Sequence, residues 1–418
     1  TMRLAYLATV PGQFLMMLFF RAGVLPLYAL QIGANNVHLG ILAAFHEGSF
    51  LYGYLFSPLM ARVGKRCWMT TLLLAASVVC WTLFLVQPMY RWAGSGAALT
   101  LLLGIVFVVM GLNGVALNAW WPLLRDIIPG PLIGSFFGRL RTAIELVGLT
   151  LTLGASAFLG QQPPAWKFML PFGLAALGQM GRALLFRQLP DPRGPNPNAD
   201  IRLRAQLIAL RQPLLDRPFL FFCVMTFVLY TVVTLPIPLY VPFLKVSRAF
   251  PASWTVASMA GVSLGNVLSL IGWGRLADRR DARLIFLLSC LPLALMHIAL
   301  ALTPTYAPAA PWAAALPAGA CFVLIGVGSA GFGMAYTAYV FQVTPPQAST
   351  TYMGLFTFLY ALGAIVGPLL GGSLADALAD VSLRAGSLRL DGYQLILAGS
   401  GMALLPALLL IRRLKPAG

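Results

Sequence analysis

Three long uncharged runs of apolar residues are each interrupted by ionisable side chains. Arg21 interrupts LMMLFFRAGVLPLY, His46 and Glu47 interrupt LAAFHEGSF, and Glu145 interrupts RTAIELVGL. A guanidinium presents a planar fork of donors that suits a carboxylate or a phosphate. A carboxyl deprived of water favours its protonated form, and so can exchange a proton for an ionic partner. Arg21 with Glu47 or Glu145 could therefore hold an anionic solute group and release it against a proton. Glu47 is the first choice of proton carrier, Glu145 the second, and His46 a third group able to titrate. The competing reading is purely structural: Arg21 could pair with Glu47, and Arg141 with Glu145 at a helical spacing of i and i+4.

Other chemistry is sparse. The five cysteines (Cys67, Cys80, Cys223, Cys290, Cys321) are scattered, without CxxC or Cys/His ligand spacing, so no metal site is expected. No phosphate-binding glycine loop and no Ser-His-Asp set occurs, so neither an enzyme nor an ATP-driven machine is expected, and no cofactor. Polar and aromatic residues do recur at helical spacing. They are Gln13, Arg21 and Tyr28; Thr226, Tyr230 and Thr234; and Asn113, Asn266, Tyr336, Tyr339 and Tyr360. Apart from Arg21, any one of these alone is a packing residue. As a set they form a candidate solute lining of rings, amides and hydroxyls.

The elements that must position these groups follow from composition. Of 418 residues, 59% are hydrophobic and only 9% charged. A soluble domain carries about a quarter charged residues, so the chain belongs in a lipid bilayer. Spans of about 20 apolar residues can be read at 4–32, 38–61, 67–89, 97–121, 135–159 and 166–186, and again at 219–244, 253–277, 284–303, 312–341, 352–374 and 393–411. The first run is longer than a cleavable leader and is expected to remain a span. The expected fold is all-α, with twelve transmembrane helices as two six-helix bundles, 1–187 and 218–418. They are joined by a polar linker, 188–217, with an amphipathic helix at 201–210.

The net charge of +17 could elsewhere point to nucleic acid. Here it is a topological signal. With the N-terminus inside, 21 basic residues fall in the cytoplasmic segments, Arg182 among them, and 6 in the outer ones. That asymmetry places both termini in the cytoplasm and removes any need for a nucleic-acid partner. On this topology Arg21, Glu47 and Glu145 lie roughly 16, 14 and 15 Å into the bilayer, where a charge is a functional hypothesis by default. The C-terminal half has no charge at that depth, so a substrate would carry its charge toward the N-terminal half. An amphiphilic organic anion or zwitterion fits. Pro11, Pro26, Pro236, Pro238 and Pro242 allow the first and seventh helices to kink.

The halves repeat. After the second span comes SPLMARVGKR (Ser57 to Arg66), and six spans later GRLADRRDAR (Gly274 to Arg283). This pair resembles the signature loop of the major facilitator superfamily, G-x-L-a-D-R-x-G-R-[RK]. The first copy keeps Leu59, Arg62, Gly64, Lys65 and Arg66, with Ser57 and Ala61 in place of the Gly and the Asp. The second keeps Gly274, Leu276, Ala277, Asp278 and Arg279. The resemblance, over essentially the whole chain, implies alternating access by two rocking halves around a central cavity. It implies a gating role for Arg62, Gly64, Arg66, Asp278 and Arg279, with Arg139 and Arg141 as partners of Asp278. An antiporter-like glycine pattern, Gly354, Gly363, Gly367, Pro368, Gly371 and Gly372, falls in the eleventh span rather than the fifth, where helix packing explains it better. Phe107 replaces the arginine expected of drug antiporters four residues before Gly111. The expectation is a monomeric secondary transporter of the bacterial inner membrane, coupled to protons and moving a small organic solute. The alternatives are a lipophilic efflux pump, or a non-transporting receptor or assembly protein on the same fold.

Overall fold

The computed structural model describes residues 2–49, 51, 56–129, 133–196, 211–345, 349–385 and 388–414. The expected amphipathic helix at 201–210 lies outside them. The first span is broken in two places. Helix α1 (Met2–Met16) runs into a π turn, Met17–Arg21, and the chain restarts at α2 (Val24–Gln31) after Gly23, whose φ of 69° suits glycine. Next come α3 (Asn36–Glu47), α4 (Ser57–Val63), α5 (Lys65–Trp81), α6 (Val86–Leu117), α7 (Trp120–Ile127), α8 (Ile133–Leu159) and α9 (Ala165–Arg187). After the short α10 (Arg211–Leu215), α11 (Arg217–Thr234) continues through irregular turns as far as Ser247, where Pro236, Pro238 and Pro242 withhold backbone donors. The remaining helices are α12 (Ala252–Arg279), α13 (Ala282–Ala301), α14 (Pro311–Val343), α15 (Ser349–Ala377) and α16 (Gly392–Arg412).

Ten helical stretches among the described residues are long and apolar enough to cross a membrane. Two expected spans are absent from that count for identifiable reasons. The stretch Lys65–Ile127 contains both 67–89 and 97–121, which separate at Gly94, a non-helical residue with φ 82°. The expected span 38–61 is divided between α3 and α4, with 52–55 outside the described residues. The sequence reading also lacks one element. Strands β1 (Ser382–Ala385) and β2 (Leu388–Asp391) pair antiparallel ahead of α16, with Arg384 opposite Arg389.

The outer surface is apolar, as lipid requires: Val78, Leu268, Phe341 and Leu409 are all more than 60% exposed. The chain divides into two units, Thr1–Ala34 with Phe45–Arg202, and Asn35–Ala44 with Leu203–Gly418. The first is built on a core that includes Trp68, Met69, Trp120, Leu124, Phe136 and Phe186. In the second, the glycines of α15 act as packing surface. A Cβ on Gly363 would come within 2.7 Å of the Phe227 carbonyl oxygen, and one on Gly367 within 2.5 Å of that of Thr231. Gly363 and Gly367 of the antiporter-like pattern are therefore where α15 and α11 touch, whereas Gly372 lies against Asn36 and Gly40 of α3.

Candidate functional site

In the first unit the π turn turns Arg21 toward α8, and its Nη1 donates to Glu145 Oε2 at 3.0 Å. Single π turns inside helices occur frequently at functional sites. The Glu145 side chain is 9% exposed and that of Arg21 35%, so the carboxylate is enclosed while the guanidinium keeps an open side. This corrects both pairings expected from spacing. Arg141, one turn before Glu145, is exposed, and Glu145 pairs instead with Arg21 at the end of the π turn. Glu47 meets its neighbour His46, whose Nδ1 lies 3.1 Å from Glu47 Oε1. The Phe20 ring stacks on the His46 ring at 4.2 Å between centroids, tilted 22°. Phe20 and Arg21 are consecutive, as are His46 and Glu47, so all four groups belong to one neighbourhood.

A second polar layer in this unit involves a residue whose burial the spacing did not single out. Arg182, counted from sequence among the cytoplasmic residues, lies five residues inside the end of α9 and is 3% exposed. Its guanidinium stands 5.3 Å from the Phe186 ring centroid and against Gly12, where a Cβ would come within 2.5 Å of its Cδ. It forms no ion pair among the described residues, and its Nε has no hydrogen-bond partner. One turn back, Gln179 Nε2 donates to Asn113 Oδ1 at 3.0 Å, while Asn113 Nδ2 and Gln179 Oε1 stay buried and unpartnered. The clue to Arg182 was the apolar run ALLF continuing past it.

The remaining lining residues separate into two groups. Tyr28 is fully buried against Phe168 and Phe172, with its hydroxyl donating to Gln87 Oε1 at 3.1 Å. Gln13 Nε2 donates to the Thr9 carbonyl at 3.5 Å. Thr226 and Thr234 are buried and return their hydroxyls to the carbonyls of Phe222 and Tyr230. Asn266 is buried and accepts from Ser329 Oγ at 3.5 Å. In contrast, Tyr230, Tyr336 and Tyr360 form a partly open aromatic cluster in the second unit. Tyr360 stacks on Tyr230 at 4.0 Å and meets Tyr336 at 4.9 Å, with Phe332 and Phe356 around them. Tyr339 is buried against Phe222. His297 is a packing residue, enclosed and held by Tyr240 and the Leu293 carbonyl.

The signature loop is organised within the first unit by acids that spacing did not single out. Lys65 pairs with Asp126, and Arg193 Nε reaches the same carboxylate at 3.1 Å. The Arg66 N–H donates to Asp191 Oδ2 at 3.1 Å, and the Asn196 N–H to the Ala61 carbonyl at 2.9 Å. Gly64 makes the sharp entry into α5 with φ 89°. Arg62 and Arg66 are exposed, as are Arg139, Arg141 and Arg279. The side chain of Asp278, and with it the expected pairing to Arg139 and Arg141, lies outside the described residues.

The profile described as Major Facilitator Superfamily matches residues 9–368. No curated protein matches this sequence. The fold is similar to solved transporter structures. A variant of the nucleoside transporter NupG superposes with a TM-score of 0.72 at 14% identity, covering 97% of this chain and 99% of that one. A POT family transporter in complex with 5-aminolevulinic acid superposes with a TM-score of 0.71 at 11% identity, covering 98% and 95%. With a predominantly helical, multi-span fold and a family match over most of its length, the chain is a membrane transporter rather than an enzyme, and it belongs to the Major Facilitator Superfamily.

Proposed function

We propose that this transporter moves a small organic anion or zwitterion by alternating access, coupled to protons, with Arg21 as the anion contact and Glu145 as the proton carrier. The observation that carries the proposal is the Arg21–Glu145 pair at 3.0 Å. A guanidinium whose charge is offset by an enclosed carboxylate holds an anionic solute weakly, even with one side open. Protonating Glu145 cancels the attraction and frees Arg21 for a carboxylate or phosphate. Deprotonation restores the pair and expels the anion. Glu47 and His46, in contact at 3.1 Å, form the neighbouring relay. Tyr230, Tyr336 and Tyr360 supply ring and hydroxyl contacts to the apolar part of the solute, and Arg62, Gly64, Arg66, Asp278 and Arg279 govern the gate.

The basic-residue asymmetry supports cytoplasmic termini in a bacterial inner membrane, with bundles 1–187 and 218–418 and a single chain as the working unit. A cationic drug is disfavoured as cargo by the intramembrane arginine. The test is a thermal-shift screen of organic anions and zwitterions on the wild type and on Arg21→Ala. Stabilisation by at least one anion should vanish in Arg21→Ala. Stabilisation that persists undiminished there would remove Arg21 from the solute site.

A further inference from the structure

A basic pocket at the end of the first unit adjoins the gating loop through Arg66 and has no part assigned in solute binding or proton transfer. It is an open cavity of about 360 Å³ lined by Arg66, Cys67, Thr70, Thr71 and Arg187. The guanidinium groups of Arg66 and Arg187 are exposed, and neither forms an ion pair among the described residues. Asp191 takes up the Arg66 backbone N–H and Asp126 is engaged by Lys65 and Arg193, so the two guanidinium groups at the mouth of one cavity are left to attract a phosphate. What lies behind the pocket narrows the choice of phosphate. Helices α5 and α9 pack antiparallel, with Ser77 Oγ donating to the Ala176 carbonyl at 2.8 Å and Gly173 facing Trp81 and Phe84. Either side of that seam the surface is apolar and uncovered, with Val78 68%, Leu177 46% and Leu184 46% exposed. A charged recess opening onto an apolar inter-helix seam matches a molecule with a phosphate head and long acyl chains.

We infer that the α5–α9 face binds an anionic phospholipid, its phosphate held between Arg66 and Arg187 and its chains laid along Val78, Leu177 and Leu184. Basic pockets between transmembrane helices are suited to such headgroups. A hydrated inorganic phosphate or a soluble phosphate ester would use the arginines but gain nothing from the seam.

Cys67 provides a probe within the pocket, because it is exposed whereas Cys80, Cys223, Cys290 and Cys321 are buried. The full chain is reconstituted in nanodiscs of phosphatidylcholine alone or with phosphatidylglycerol, and modified with the uncharged reagent N-ethylmaleimide. Phosphatidylglycerol should slow Cys67 modification, and this protection should fall about fivefold with each of Arg66→Gln and Arg187→Gln, as expected for about 1 kcal/mol per arginine near a charged surface. Glycerol phosphate added to phosphatidylcholine discs should not protect. Equal rates in the two lipids for the wild type would overturn the inference without any variant. Protection unchanged in both variants would also overturn it, and equal protection by glycerol phosphate would assign the pocket to a soluble phosphate instead. Native mass spectrometry of the wild type gives an independent check: phosphatidylglycerol should be retained in preference to phosphatidylcholine, and equal retention contradicts the inference.

Discussion

Arg182 shows how far a single residue can depart from its position in sequence. It lies near a helix end, yet it is enclosed, rests on Phe186 and occupies space that only Gly12 leaves open. Gly12→Ala should force the guanidinium aside and lower stability by about 1–3 kcal/mol, the usual range for overpacking. A thermal midpoint measured in detergent would check this, and an unchanged midpoint would mean the helices shift freely. Arg21 and Glu145 illustrate the opposite case. Their depth and charge were legible as a functional centre, but their partnership was not. Nothing in the spacing of Arg21, Glu47, Arg141 and Glu145 reveals that a π turn rotates residue 21 toward α8. A pattern along one helix identifies faces, whereas the pairing of buried charges depends on how helices pack.

At the scale of elements, the spans were readable because lipid demands long apolar runs, and lengths alone nearly place them. The interruptions were harder. Gly23 adopts positive φ inside the run read as one span, 4–32, whereas Gly94 falls in the gap read between 67–89 and 97–121, and the β1–β2 hairpin occupies a stretch with no hydrophobic alternation strong enough to mark it. The start of α16 rests on one acid. Asp391 caps the helix through the Gln394 N–H, forms a capping box with Gln394, and pairs with Arg248 at 3.2 Å. Asp391→Ala should therefore cost about 1–2 kcal/mol, as loss of an N-cap does, and the hairpin should lose hydrogen-exchange protection before the helix interiors. Uniform exchange across both would contradict that order. Asp376 plays a related part for α3, accepting from the Asn36 and Val37 N–H groups at 3.1 and 3.2 Å, while Tyr393 donates to Asn36 Oδ1 at 2.9 Å. No acid was singled out there from sequence, because capping across 340 residues leaves no local pattern.

On the scale of the whole molecule, family and fold follow from apolar runs, a repeated loop and the basic-residue asymmetry. The solute does not follow from them, because the same fold serves many cargoes and specificity belongs to a few side chains. The aromatic cluster should set solute affinity without setting coupling. Tyr360→Ala should weaken solute binding while leaving the pH dependence of transport unchanged. The central claim is that Glu145 carries the coupling proton by competing for Arg21. Its most direct test is flux in proteoliposomes, with a solute identified by thermal shift, driven by a pH gradient or measured as solute exchange at equal pH. The account predicts that Glu145→Gln abolishes the gradient-driven flux and retains exchange. Gradient-driven flux that survives Glu145→Gln would contradict it, and its loss only on adding Glu47→Gln would move the coupling proton to Glu47.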